Sequence, residues 1–266
     1  MSLKVTILGC GTSGGVPRIG GKWGACDPAD PRNIRRRCSI LVEREGGEGK
    51  TSVLVDSSPD LRQQLLDAGV FWLDGVLYTH DHADHTHGID DLRQVAYNGK
   101  RRVDVYYDAE TGKMLHKRFD YCFVQPAGSE YPPILKGHEI GPGVPVRIDG
   151  AGGALEALPF RQIHGPGETL GFRFGNLAYS PDVSDFPEES LKHLEGLDVW
   201  ILDTLRPVPH PSHLSVGQAL SWIARMKPRR AVLTHMHVDL DYAALARELP
   251  PGVEPAYDGM VLEAED

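Results

Sequence analysis

Short apolar runs alternate with amphipathic stretches along this chain, the pattern of a mixed α/β protein. Leu3 to Leu8 reads as a strand and leads into a glycine-rich loop, Gly9 to Pro17. The glycine spacing there fits neither a dinucleotide-binding turn nor a P-loop. Ser39 to Glu43 and Thr51 to Asp56 flank Gly46-Gly47-Glu48-Gly49 and read as a hairpin. Ser58-Pro59 then opens a helix, with Leu61, Leu65 and Leu66 as its buried face and Gly69 at its end. Val76-Leu77-Tyr78 is a buried strand. Residues 98–142 loosen the rhythm with glycines, prolines and the aromatics Tyr106, Tyr107, Phe119, Tyr121 and Phe123. They form either a substrate lid or a packed excursion. Short strands return from Leu155 to Asp203. Ser215 to Met226 reads as a helix, whose Ser215 and Gln218 match a capping box.

Composition narrows the class. With 266 residues and 41% apolar content, the chain can bury a sizeable core as one domain. No apolar run of about 18 residues exists, so no membrane helix is expected. Met1 to Val5 enters a strand with no leader pattern, and the four cysteines, Cys10, Cys26, Cys38 and Cys122, show no close pairing. Both features point to a reducing, cytoplasmic location. The net charge of −9 argues against a broad nucleic-acid surface, although bound cations would locally reverse the sign.

Polar chemistry concentrates at strand exits. Thr79-His80-Asp81-His82-Ala83-Asp84-His85 follows the Val76–Tyr78 strand and sets five ligand-type side chains in six positions. A strand ending in a tight loop aims alternate side chains at one spot, so His80 and His82 can share one cation. Asp84 and His85, one turn onward, can reach a second. Neutral imidazole and carboxylate suit zinc, manganese and iron alike.

The pattern His-x-His-x-Asp-His after a hydrophobic strand resembles the metallo-β-lactamase superfamily. The resemblance implies a four-layer αββα sandwich with its metals at one edge. It also implies a distant His, a bridging Asp and a last His. His164 after Phe160–Ile163, Asp182 after Leu177–Pro181 and His235 after Ala231–Thr234 fill those places. On this reading His80, His82 and His164 hold one divalent metal, Zn2+ or Mn2+. Asp84, His85 and His235 hold the other, and Asp182 bridges them. Asp56 either orients a ligand His from behind or caps the helix that follows. Two cations about 3.5 Å apart can hold a hydroxide and clamp an oxyanion, so no Ser or Cys nucleophile is needed.

The superfamily hydrolyses β-lactams, thioesters, lactones and phosphodiesters, so finer features must decide. His213, in His210-Pro211-Ser212-His213-Leu214-Ser215, resembles the catalytic His of the phosphodiesterase branch, which includes the tRNA 3′-end-processing endonucleases and the cyclic-phosphate phosphodiesterases of phosphonate breakdown. It would protonate a poor alkoxide leaving group. Asp203 or Asp84 would orient it, which gives Asp84 a catalytic as well as a ligating place, and His210 is the competing acid. The Gly9–Pro17 loop, Arg36-Arg37-Cys38-Ser39, Asp56 to Asp60 and Tyr257-Asp258-Gly259-Met260 resemble the cyclic-phosphate branch.

That branch carries a structural zinc on closely spaced loop cysteines and a His three residues past the last ligand His. Here the loop offers Cys26 alone and position 238 is Val, so no structural zinc is expected. A small phosphodiester or nucleotide is the expected partner, with Arg93 and His87 facing it unless Arg93 merely pairs with Asp90. Long nucleic acid is disfavoured by the charge and by the lack of an arm-like insertion. A thioester or lactone hydrolase, a tRNA 3′-processing endonuclease and a non-catalytic nucleotide-binding protein are the alternatives. The chain also allows a homodimer.

Overall fold

A computed structural model describes residues 2–265. Two seven-stranded sheets carry the fold. The first runs in the order β14 (Val261–Glu265), β1 (Ser2–Gly9), β2 (Ser39–Gly46), β3 (Gly49–Val55), β4 (Gly75–Leu77), β5 (Val103–Tyr107) and β6 (Leu135–Glu139). The second runs β13 (Val253–Pro255), β12 (Arg230–Thr234), β11 (Val199–Asp203), β10 (Leu177–Ser180), β9 (Gly167–Phe174), β8 (Leu155–His164) and β7 (Val146–Ile148). Strands β3 to β6 are mutually parallel, as are β10 to β13, so their C-terminal ends gather at common edges.

Side-chain alternation explains why the sheets stack. Val5, Ile40, Val42, Val53, Val55 and Leu77 point from the first sheet into one buried cluster with Phe160, Phe172, Trp200, Leu202 and Val232 of the second. The intervening residues Leu41, Leu54, Val76 and Val105 point the other way, into a separate cluster beneath the helices. Those helices are α1 (Leu61–Asp67), α2 (Ala83–Thr86), α3 (Leu92–Gly99) and α4 (Ala109–Phe123). Beyond the second sheet lie α5 (Glu188–Leu191), α6 (Val216–Met226) and α7 (Tyr242–Glu248). From α6, Trp222 packs edge-on against Phe186, which in turn lies against Trp200. The result is the αββα sandwich. Among the described residues no helix is long and apolar enough to cross a membrane, and all four cysteines are buried and free.

Local expectations mostly hold, with two corrections. The hairpin forms with Gly46 opposite Gly49, leaving Gly47-Glu48 as a two-residue loop. Ser215 and Gln218 make the reciprocal capping box. The first helix, however, starts at Leu61 behind Asp60 rather than at Ser58-Pro59. Ser58 instead makes a turn before it, its carbonyl accepting from Leu61 N and its hydroxyl accepting from Asp60 N. Leu66 is 58% exposed, and Gln64 takes the inward place beside Leu61 and Leu65. Positions 61, 64 and 65 share a helix face, whereas 66 turns about 100° away from 65. Gln64 is satisfied there by donating to the Arg37 carbonyl.

Residues 98–142 lend β5, α4 and β6 to the first sheet, with Leu115, Cys122 and Phe123 packed inward. Helical geometry lapses at Phe119, where φ is −133° and ψ is 33°. The Arg35–Arg37 run is spent on structure. Arg35 is buried and donates to Asn33, while Arg36 pairs with Asp67 and Arg37 with Asp60.

Replacing Leu202 with Ala should lower unfolding stability by about 2–5 kcal/mol, because the side chain is wholly buried. Leu66→Ala should cost less than about 0.5 kcal/mol. Urea denaturation reads both, and a large loss at Leu66 would contradict its outward place.

Candidate metal centre

Six strand exits meet at one edge. β3 delivers Asp56, β4 the 79–85 loop, β8 His164, β10 Asp182, β11 Asp203 and β12 His235. Three of these turns are conformationally unusual. Asp56, Asp182 and His235 all adopt left-handed backbone, with φ of 65°, 49° and 58°. Non-glycine residues rarely do so, and such strain persists only where surrounding contacts fix it. Here the turn is what swings each side chain off its strand and into the site.

The side chains form two groups that share Asp182. His80, His82, His164 and Asp182 lie together, as do Asp84, His85, His235 and Asp182, with ligand atoms in each group within 4.8 Å of one another. Asp182 divides its two oxygens between them. Its Oδ2 lies 3.6 Å from His80 Nε2 and 3.9 Å from His164 Nε2. Its Oδ1 lies 3.1 Å from His85 Nε2 and 3.3 Å from His235 Nε2. Asp84 Oδ2 is 3.6 Å from both of those nitrogens. Such spacings match the edges of a coordination polyhedron whose metal–ligand bonds are about 2.0–2.2 Å.

Unmet polar demand gives the fit test. His80 Nε2, His85 Nε2, His235 Nε2 and Asp182 Oδ1 are buried and make no hydrogen bond. Buried polar atoms of this kind are costly unless something satisfies them, and all four face the same centre. Three of the opposite ring nitrogens are held, whereas His235 Nδ1 makes no hydrogen bond. His85 Nδ1 donates to Asp56 Oδ2 at 2.7 Å, and His164 Nδ1 donates to the Ser212 carbonyl at 2.6 Å. Thr79 Oγ1 donates to Asp56, so its contact with His80 Nδ1 at 2.9 Å must run from ring to hydroxyl. Each bond places the proton on Nδ1 and leaves Nε2 as a ligating lone pair. The residues fit two divalent cations.

Charge agrees with geometry. Burial, reinforced by His85, holds His80 well below the ordinary imidazole range, which keeps it neutral. Burial alone would pull His85 down, yet Asp182, Asp56 and Asp84 push it well above that range. Burial would raise the Asp182 carboxyl, but His235 and His85 hold it well below the usual carboxylate range. The cluster therefore demands positive charge, from protons or from metals.

His213 stands beside this centre. Its Nδ1 donates to the fully buried Asp203 at 2.8 Å, and its ring lies 4.7 Å from those of both His164 and His235. His210 has no carboxylate partner among its hydrogen bonds, contacting Ser212 instead. Of the two carboxylates expected to orient the acid, Asp203 is the one in contact.

Residues 51–236 match the family described as a Beta-lactamase superfamily domain. The chain belongs to the beta-lactamase superfamily. It is similar over 99% of its length to a crystal structure of a new diphosphatase from the PhnP family, at 35% identity and TM-score 0.89, covering 98% of that chain. An octanoyltransferase of Porphyromonas gingivalis is 34% identical over 265 residues. That match takes in 97% of this chain but 51% of the relative, so the chain spans about half the relative's length. Coenzyme PQQ synthesis protein B of Acinetobacter baumannii is 24% identical over 310 residues, covering 98% of this chain and all of that one. Within the superfamily the chain groups with the PhnP family.

The remaining predicted residues divide. His87 is exposed and lines a cavity with His82. Arg93 pairs with Asp90 at 2.7 Å and lines a different groove with Arg62 and Asn98. Asp56 lies directly behind His85 and also accepts from Thr79 N. Arg118, not singled out in the sequence, and Phe119, named there only among the aromatics of residues 98–142, reach the 80–87 loop from α4. No motif marks them; only the aromatic density of that segment hinted at a role. The loop around Cys26 is filled by Val16, Cys26, Val238 and Trp23, the thiol donating to the Val238 and Leu240 carbonyls.

Asp56→Asn should weaken metal affinity about 10–100-fold, by removing the acceptor that orients His85. Metal titration of chelator-stripped protein measures this. Wild-type affinity in the variant would remove Asp56 from the centre.

Proposed function

We propose that this protein hydrolyses a small phosphoester at a two-metal centre, with His213 as general acid. The substrate class is a cyclic ribosyl phosphate, a nucleotide-like phosphodiester or a diphosphate. The observation that carries the reading is the Asp203–His213 pair beside the ligand cluster. A phosphoester leaving group departs as a poor alkoxide or phosphate oxyanion and gains from a positioned proton, whereas a thiolate leaves without one.

Two divalent cations, Zn2+ or Mn2+, held by His80, His82 and His164 and by Asp84, His85 and His235 across Asp182, would polarise the phosphoryl oxygens and supply a water-derived nucleophile at neutral pH. The protein's own groups do the rest. Asp203 holds the His213 Nδ1 proton and orients the ring, leaving Nε2 to donate. Asp56, Thr79 and Ser212 fix the ligand imidazoles so that the site needs little reorganisation. Across the reaction the oxygen of water joins phosphorus and the bond from phosphorus to the leaving oxygen breaks. That oxygen takes the His213 proton, and the proton freed from water restores His213 by way of solution.

The diphosphatase relative supports a phosphoanhydride within this class. The octanoyltransferase relative favours a second reading, acyl transfer or thioester hydrolysis on the same metals. It gives the Asp203–His213 pair no task, and the matched half of that relative need not be the acyl-transferring half. With a net charge of −9, a small substrate suits the chain better than a long nucleic acid.

Metal-loaded protein should hydrolyse bis-p-nitrophenyl phosphate, a ribose cyclic phosphate and ADP-ribose. His213→Ala with intact metal content should lose about 10²–10⁴-fold on the cyclic phosphate, whose alkoxide needs the acid, and less on the nitrophenyl ester. Turnover of thioesters or lactones without any phosphoester turnover would sink the proposal.

A further inference from the structure

One cavity opens onto the candidate metal ligands. It is an open depression of about 370 Å³ between the 80–87 loop and α4, and His82, Ala83, His87, Arg118 and Phe119 line it. His82 is the exposed member of its ligand group, while His80, His164 and Asp182 are buried, so the cavity meets that group through His82.

The lining has two chemical halves. Arg118 supplies a cation, its Nη2 lying 2.8 Å from Asp81 Oδ2 and its Nη1 donating to the Asp81 carbonyl. Both side chains of that pair are about a third exposed, at 35% and 31%. Ion pairs at such exposure contribute little, and a phosphate offers the guanidinium a bidentate alternative. Phe119 supplies a flat apolar surface. It sits where α4 departs from helical geometry, and its ring meets the His87 ring edge-on at 5.4 Å. A planar ring stacks favourably on such a pair.

We propose that this cavity binds the second phosphate and the base of a nucleoside diphosphate ester. The scissile phosphate would sit at the metal ligands, its neighbour on Arg118, and the base against Phe119 and His87. The inference rests on the phosphoester-hydrolase reading and narrows it. A cyclic ribosyl phosphate has one phosphate and no flat ring, so it would leave Arg118 and Phe119 without a task.

The test uses α,β-methylene-ADP, whose carbon bridge resists hydrolysis, titrated calorimetrically into metal-loaded protein. Arg118→Ala should weaken binding about tenfold or more, the size of a lost charge-assisted contact, and Arg118→Lys less. Phe119→Ala should weaken the nucleotide analogue while sparing methylenebisphosphonate, which carries no ring. Asp81→Asn should bind as well as wild type or better, because it frees the guanidinium. With ADP-ribose, Arg118→Ala should raise KM far more than it lowers kcat. Failure of wild-type protein to bind the analogue would overturn the proposal, as would binding indifferent to Arg118. An Asp81→Asn loss equal to that of Arg118→Ala would also overturn it, since the pair would then merely pin the loop. Analogue binding through Arg118 without turnover of any phosphoester would remove the hydrolase reading and leave this site standing. Turnover with Arg118-independent binding would do the reverse.

Discussion

The proposed centre depends on one buried carboxylate shared between two groups of ligands. Asp182 is wholly enclosed and offers one oxygen to His80 and His164 and the other to His85 and His235. It can do so only because β10 ends in a left-handed turn that rotates the carboxylate across the sheet edge. Such a turn costs on the order of 1–3 kcal/mol in a non-glycine residue and persists only when neighbours over-determine it. The neighbours are present. Thr169 Oγ1 donates to the Asp182 carbonyl, and Pro181, one residue earlier, accepts from Gln162. Asp56 and His235 repeat the device at the ends of β3 and β12. The strain lies at the points where a strand must stop being a strand and deliver a ligand.

Much of this was legible in the sequence because strand exits are legible. A β-type apolar run followed closely by His or Asp predicts a side chain at a sheet edge, and His80, His164, Asp182 and His235 all follow that rule. The αββα layering was read from the family resemblance, and the two clusters of alternating side chains are its physical basis. What the sequence concealed is what helices and long-range contacts decide. Leu66 looked like a core position because apolar, but the phase of α1 gives that place to Gln64. Arg118 lies 37 residues beyond Asp81, in a helix whose kink no proline announces, so local pattern could not join the two. The choice between Asp203 and Asp84 for His213 likewise turned on contact in space, which joins His213 to Asp203 at the end of β11.

Asp203 ties the chemistry together. Its Oδ2 accepts from His213 and from Val183 N, the residue directly after Asp182, while its Oδ1 lies 3.7 Å from His235 Nδ1. One carboxylate thus bonds the proposed acid and the backbone directly after Asp182, and lies near the candidate ligand His235. Moving any of the three alters the others, so the acid's position is set by the same contacts that shape the ligand cage. This coupling favours proton transfer to a leaving group over a bystander role for His213, because a surface histidine that only preceded a helix would need no buried carboxylate. The cap of α6 is already complete without it, supplied by Ser215 and Gln218.

The amino-terminal loop extends the same logic outward. Met236 N donates to the Cys10 carbonyl and His237 N to the Leu205 carbonyl, so the backbone just beyond His235 is clamped from two sides. Arg35 reaches in from the loop to the His237 carbonyl and to Asn33, whose amide in turn donates to Asp241. A buried guanidinium needs such partners, and the nearby Asp241 offsets its charge. Beside it, Val16, Trp23, Cys26 and Val238 close the loop with apolar contact. Hydrogen bonds from one arginine and a small apolar cluster reach this backbone, and they brace the strained exit at His235 on which the proposed centre depends.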